Sequence, residues 1–152
     1  MISVTQTLQL ISLANLIVNS FKLVTKESLF ETGSLSETEI ATKLFQFPFE
    51  VLAHNREPDP IFMYGNAKAL STFEYSWDEF TALPSRLSAE TINQADRQKL
   101  LDEAKEKGFV TSYEGFRISK TGKRFYIKNV ILWNLIDEKG INHGQAAVIY
   151  GI

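Results

Sequence analysis

The stretch from Pro58 to Pro84, PDPIFMYGNAKALSTFEYSWDEFTALP, decides how this chain folds. Its apolar run Ile61 to Tyr64 reads as a strand that ends at Gly65. Asn66 then suits a helix N-cap, because its side-chain oxygen can accept from backbone N–H groups of the first turn. The helix it opens, AKALSTF, is about two turns long. It breaks at Tyr75, where Ser76 and Glu79 have capping-box spacing and Tyr75 and Phe80 form a hydrophobic staple. Leu83-Pro84 stops this second helix. Helices so short do not hold themselves up. Leu70, Phe73, Tyr75, Trp77 and Phe80 must therefore pack on something, and the expectation is a sheet with a small cavity between.

The rest of the chain supplies that sheet. FEVLAHN, from Phe49 to Asn55, reads as a short strand, with Pro58-Asp59-Pro60 turning into the next one. Beyond PSRLSAE comes a longer helix with Asn93 as its candidate cap and Gly108 as its C-terminal stop. Leu100, Leu101 and Ala104 face inward. Arg97, Lys99, Asp102, Glu103 and the lysines around Glu106 read as a solvated coat. Three strands follow: FVTSYEGFRIS, a Lys120-Thr121-Gly122-Lys123 hairpin turn, RFYIKNVILWNLI, a turn at Asp137–Gly140, and GQAAVIYG. Along the long strand, Phe125, Ile127, Ile131, Trp133 and Leu135 alternate with Tyr126, Val130 and Leu132. Both faces are apolar, so both need cover.

Cover for the second face must come from the N-terminus. In LSETEIATKLF, Ser36 and Glu39 make a capping box, and Pro48 ends the helix. The run Leu8 to Val24 is apolar but broken by Gln9, Ser12, Asn15, Asn19 and Lys22. It reads as an amphipathic helix, with neither the unbroken apolar length of a membrane span nor a basic region before it. Its own domain is the simplest cover for its stripe. A homodimer through this helix is the second expectation.

Composition excludes several function classes. The chain has 152 residues, no cysteine, two histidines and a net charge of -2. One domain with a real core fits that length. Thiolate metal sites, cysteine nucleophiles and cysteinyl chromophores are impossible. His54 and His143 have no metal spacing. No basic footprint points to direct nucleic-acid binding. No P-loop, GxGxxG or nucleophile elbow points to an enzyme. A haem would need an axial ligand, which the long helix lacks. Cofactors are otherwise open, and the cytoplasm is the simplest location.

A strand ending in Tyr-x-Asn, short helices with a Trp-Asp-Glu-Phe step, a longer helix and three antiparallel strands resemble, in that order, the PAS domain. The segments VLAHNREPDPIFMYGN, LPSRLSAE, GFRISKTGKRF, VILWNLIDEKG and HGQAA more specifically resemble the MEKHLA-domain family, a PAS-related group. That family occurs at the C-terminus of plant homeodomain–leucine-zipper regulators and as stand-alone microbial and algal proteins. The resemblance covers roughly residues 47–151, leaving 1–46 as an N-terminal helical extension to a PAS-like domain at 47–152. It implies an α+β fold. Its five-stranded antiparallel sheet has the order 2-1-5-4-3, with short helices on one face and the N-terminal helices on the other. It also implies a sensory or regulatory role without a defined chemistry.

The first reading is a module without catalysis that binds a small molecule, in the expected cavity an anionic organic one, and/or a protein partner. Pockets of this kind are apolar with a few placed polar groups. The candidate ligand contacts are Phe73, Trp77, Arg86, Arg117, Trp133 and Gln145. Arg86 also suits a structural role, clamping loop carbonyls, and Trp77 and Trp133 suit the core. Two rivals stand beside this reading. One is a small enzyme using His54, Glu90 and the same polar groups for acid–base work. The other is a dimerisation scaffold whose core is filled.

Overall fold

A computed structural model describes residues 4–152. Helix α1 (Val4–Thr25) and helix α2 (Glu37–Phe45) lead into strands β1 (Glu50–His54) and β2 (Phe62–Gly65). Helices α3 (Ala67–Phe73), α4 (Trp77–Phe80) and α5 (Thr91–Lys107) follow, with a 3-10 turn at Ser85–Ser88 before α5. Strands β3 (Phe109–Ile118), β4 (Arg124–Ile136) and β5 (Asn142–Gly151) complete the chain. The five strands form one antiparallel sheet in the order β2-β1-β5-β4-β3.

The local signals of the opening stretch act as their chemistry requires. Asn66 Oδ1 accepts from the Ala69 N–H at the start of α3. Ser36 with Glu39, and Ser76 with Glu79, each form a reciprocal capping box. Asn93, in contrast, is not a cap. Helix α5 starts two residues earlier at Thr91, with Glu90 in the cap position and no side-chain cap bond.

Each face of the sheet has its own cover. On one, Ala14, Ile17, Val18 and Phe21 of α1 pack with Val51, Ala53, Trp133, Leu135, Ala146 and Val148. The Trp133 indole N–H donates to Ser20 Oγ at 3.0 Å, and its ring meets Phe21 edge-on at 4.8 Å. Asn15 ties α1 to the start of α2 by donating to the Glu37 carbonyl. By length and composition α1 could cross a membrane, but a third of its most apolar window is buried in this core. On the other face, Phe73 and Phe80 of α3 and α4 pack on Leu52, Phe62, Ile127, Val130 and Ile149. Leu100, Leu101 and Ala104 of α5 pack beside them on Leu132.

Strict alternation along β4 fails at one place, and the failure reassigns half the strand. Asn129 takes φ +54°, and the β3–β4 register shifts between the Tyr113–Val130 and Gly115–Ile127 pairs. One extra residue in a strand turns every later side chain to the opposite face. Phe125 and Ile127 therefore share a face with Val130 and Leu132, while Ile131, Trp133 and Leu135 face α1.

Candidate functional site

Between the sheet and helices α3 and α5 lies a cavity of about 50 Å³. Its walls are mainly apolar: Leu52, Phe62, Phe73, Ile127, Val130, Leu132 and Ile149 among them. Into this lining five elements bring polar side chains: His54 from β1, Ser88 from the 3-10 turn, Arg97 from α5, Tyr113 and Arg117 from β3, and Gln145 from β5.

One wall is a closed hydrogen-bond network. Gln145 Nε2 donates to the Leu101 carbonyl at 3.0 Å and to Asn134 Oδ1 at 3.2 Å. That orientation turns Gln145 Oε1 to His54 Nε2, 3.2 Å away. An amide oxygen only accepts, so His54 carries its proton on Nε2 when neutral. Asn134 Nδ2 in turn donates to the Lys105 carbonyl. The chain of bonds clamps α5 to β1, β5 and β4. Gly144 lets β5 come this close to β1: it sits at φ +141°, where a Cβ would lie 2.0 Å from the His54 carbonyl oxygen.

Burial holds His54 neutral, lowering its pKa to about 4, and the Arg97 charge pushes the same way. Lys105 adds a smaller push, while the Gln145 bond opposes them. In an unfolded chain histidine titrates near ~6.5. The unfolded state thus binds more protons between these two values, and stability falls as pH drops from about 6.5 towards 4. We expect a loss of about 3 kcal/mol across that window. Urea denaturation at stepped pH should show it, and His54→Asn should flatten the slope. Equal slopes in both proteins would mean that His54 does not fold as a neutral ring.

Two arginines make the lining cationic. Arg97 and Arg117 are 7% and 8% exposed. Arg117 donates to the Phe116 carbonyl at 2.7 Å and to the Tyr113 hydroxyl at 3.3 Å, and its guanidinium lies over the Tyr113 ring. Gly115 makes room for this pair, since a Cβ there would sit 2.7 Å from the Tyr113 hydroxyl. The Arg97 side chain forms no hydrogen bond or ion pair with any described residue. No aspartate or glutamate is among the described residues lining the cavity. Burial, followed by the Arg117 charge, brings Arg97 down to about 10, which leaves it protonated at neutral pH.

Of the six side chains expected at the ligand, Phe73, Arg117 and Gln145 line this cavity. Trp133 does not: the shift at Asn129 turns it to α1. Trp77 packs edge-on against Tyr64 at 5.7 Å, on the α1 side of the sheet. Arg86 is half exposed and donates to Asp59 at 3.1 Å, a structural surface pair. Glu90 pairs with Arg124 outside the cavity. Arg97 corrects the reading of α5 as a charged coat around three inward residues. It lies three, four and seven residues before Leu100, Leu101 and Ala104, on their stripe. That spacing was the available signal.

A sequence model described as the MEKHLA domain matches residues 11–151, which takes in most of α1 and all of α2. Comparison with curated protein sequences gave no match. Among solved structures, a PAS domain from Colwellia psychrerythraea superposes with a TM-score of 0.66 at 15% identity, covering 76% of this chain and 95% of that one. A PAS domain of a two-component sensor histidine kinase gives 0.61 at 16% identity, with 76% and 96% covered. A light-oxygen-voltage domain studied with a flavin analogue gives 0.62 at 16% identity, with 74% and 84% covered. These likenesses are of fold. A flavin does not fit here: the cavity is far below the roughly 300–1,000 Å³ of ordinary cofactor pockets.

Proposed function

The chain belongs to the MEKHLA domain family and has the PAS fold, and from that premise we propose that it is a sensory or regulatory module that binds a small molecule. The observation that carries this reading is the convergence of buried polar side chains from five elements on one small apolar-walled cavity. Most of these groups pair with one another or with backbone carbonyls, but Arg97 does not, and a core built only for stability would not keep an unpaired charge there. Occupancy would tighten the contacts among α5, β3 and the sheet, and a protein partner would read that change.

Catalysis is not part of the proposal. The cavity lining has no carboxylate among the described residues, and its histidine is tied to Gln145 through the nitrogen that carries the proton. With its pKa lowered to about 4 by burial, His54 is also a weak base, poorly matched to taking a proton near neutral pH.

A thermal-shift screen with small neutral, cationic and anionic compounds tests the reading. At least one class should raise the midpoint saturably, with slowed amide exchange in α5 and β3. No response in any class would favour the ligand-free scaffold, for which the small size of the cavity is the supporting observation.

A further inference from the structure

We propose that the cavity is a receptor site for a small planar carboxylate, the anion being gripped by Arg97 together with Arg117. This rests on the sensory reading above and names the class of its ligand.

Arg97 lacks the partner that its position calls for. A buried guanidinium normally meets a carboxylate or backbone carbonyls, because an unpaired charge inside a protein is strongly unfavourable. Arg117 has two acceptors, the Phe116 carbonyl and the Tyr113 hydroxyl. Arg97 has none among the described residues, its nitrogens keep some accessible surface, and it feels the charge of Arg117, opposed in smaller part by Tyr113. Two like charges share a compartment that contains no acidic residue among those described. Sequences break the rules of polar satisfaction chiefly where function requires it. An entering anion would neutralise the pair and supply the acceptors that Arg97 lacks.

The shape of the donors and the size of the space narrow the class. A guanidinium presents planar, forked N–H groups that match the two oxygens of a carboxylate. The volume of about 50 Å³ is roughly one-third of a dry cavity that admits benzene. About three or four non-hydrogen atoms fit, the scale of formate or acetate. Phe73, Ile127 and Val130 in the wall suit a methyl group better than a second charge.

Titration of the full chain with sodium acetate or formate, followed by thermal midpoint and by NMR of 13C-labelled acetate, tests the proposal. Acetate should raise the midpoint saturably. Acetamide, its uncharged isostere, and sodium chloride at equal ionic strength should not. Arg97→Met should raise the midpoint without added anion by about 3 °C or more, since it removes an unpaired buried charge. The same variant should bind acetate about 10- to 100-fold more weakly. Arg97→Lys, which keeps charge and loses the fork, should also weaken it.

Equal effects of acetamide and acetate would overturn the anion assignment while leaving the sensory reading intact. So would an equal response to chloride, or a preference for phosphate. A lower midpoint in Arg97→Met, with no acetate response in the unaltered protein, would assign Arg97 to the structure alone. No response to any compound class in the wider screen would remove both readings.

Discussion

Replacing Asn66 with alanine is expected to destabilise the protein by about 3–5 kcal/mol, well beyond the loss of a helix cap. The side chain is fully buried and uses both ends. Its Oδ1 accepts from the backbone N–H of Ala69 and, at the same 3.0 Å, from that of Val51 in β1. Its Nδ2 donates to the Phe49 carbonyl at 2.8 Å and to the Leu44 carbonyl at 3.3 Å. One amide thus joins the end of α2, the start of β1 and the start of α3. Alanine would leave two N–H groups and two carbonyls without this partner, each worth about 1–3 kcal/mol if unsatisfied and dry. Asn66→Ser should keep part of the cap bond and recover only about 1 kcal/mol. Asn66→Asp should fare poorly near neutral pH, because a carboxylate oxygen would face the carbonyls that Nδ2 now serves. Urea denaturation of the three variants gives the ranking. A loss for alanine of only about 1 kcal/mol would reduce Asn66 to an ordinary cap.

The contrast at Asn66 shows which information a linear sequence carries. Its cap role was legible because it is local: an asparagine between an apolar run and a helical segment has few other uses. Its bonds to Val51, Phe49 and Leu44 depend on where distant backbone falls, and no residue near Asn66 announces them. The order of elements was legible for the same reason, since caps, turns and apolar periods are all short-range signals. The facing of Trp133 was not, because an asparagine tolerates positive φ but does not demand it, and one bulge is enough to turn the strand over. Three of the six expected side chains, Phe73, Arg117 and Gln145, fall in the lining of the cavity. Arg97 was hidden by its neighbours. Surrounded by Asp96, Gln98 and Lys99, it resembles a surface residue, and only its register with Leu100, Leu101 and Ala104 marks it as internal.

Deletion of residues 1–26 is expected to abolish the stable folded monomer. Helix α1 contributes Ile17 at 0%, Phe21 at 2% and Val18 at 4% exposure to the core on the second face of the sheet. Burying side chains of these types stabilises by about 1.5–3 kcal/mol each, so the three supply roughly 5–9 kcal/mol. A domain's whole stability is only about 5–15 kcal/mol. Removing α1 also uncovers Val51, Ala53, Trp133, Leu135, Ala146 and Val148 together, and leaves the Trp133 N–H without Ser20. A contiguous apolar sheet face of that kind seeks another surface. The truncated chain should therefore precipitate or assemble, visible as a raised mass by light scattering. Phe21→Ala in the full chain gives the graded version, a loss of about 3–5 kcal/mol. It leaves the cavity of Arg97 and Arg117 on the opposite face, so any acetate response should persist wherever the variant remains folded. A soluble truncated monomer with unchanged stability would mean that α1 is not the cover of this sheet.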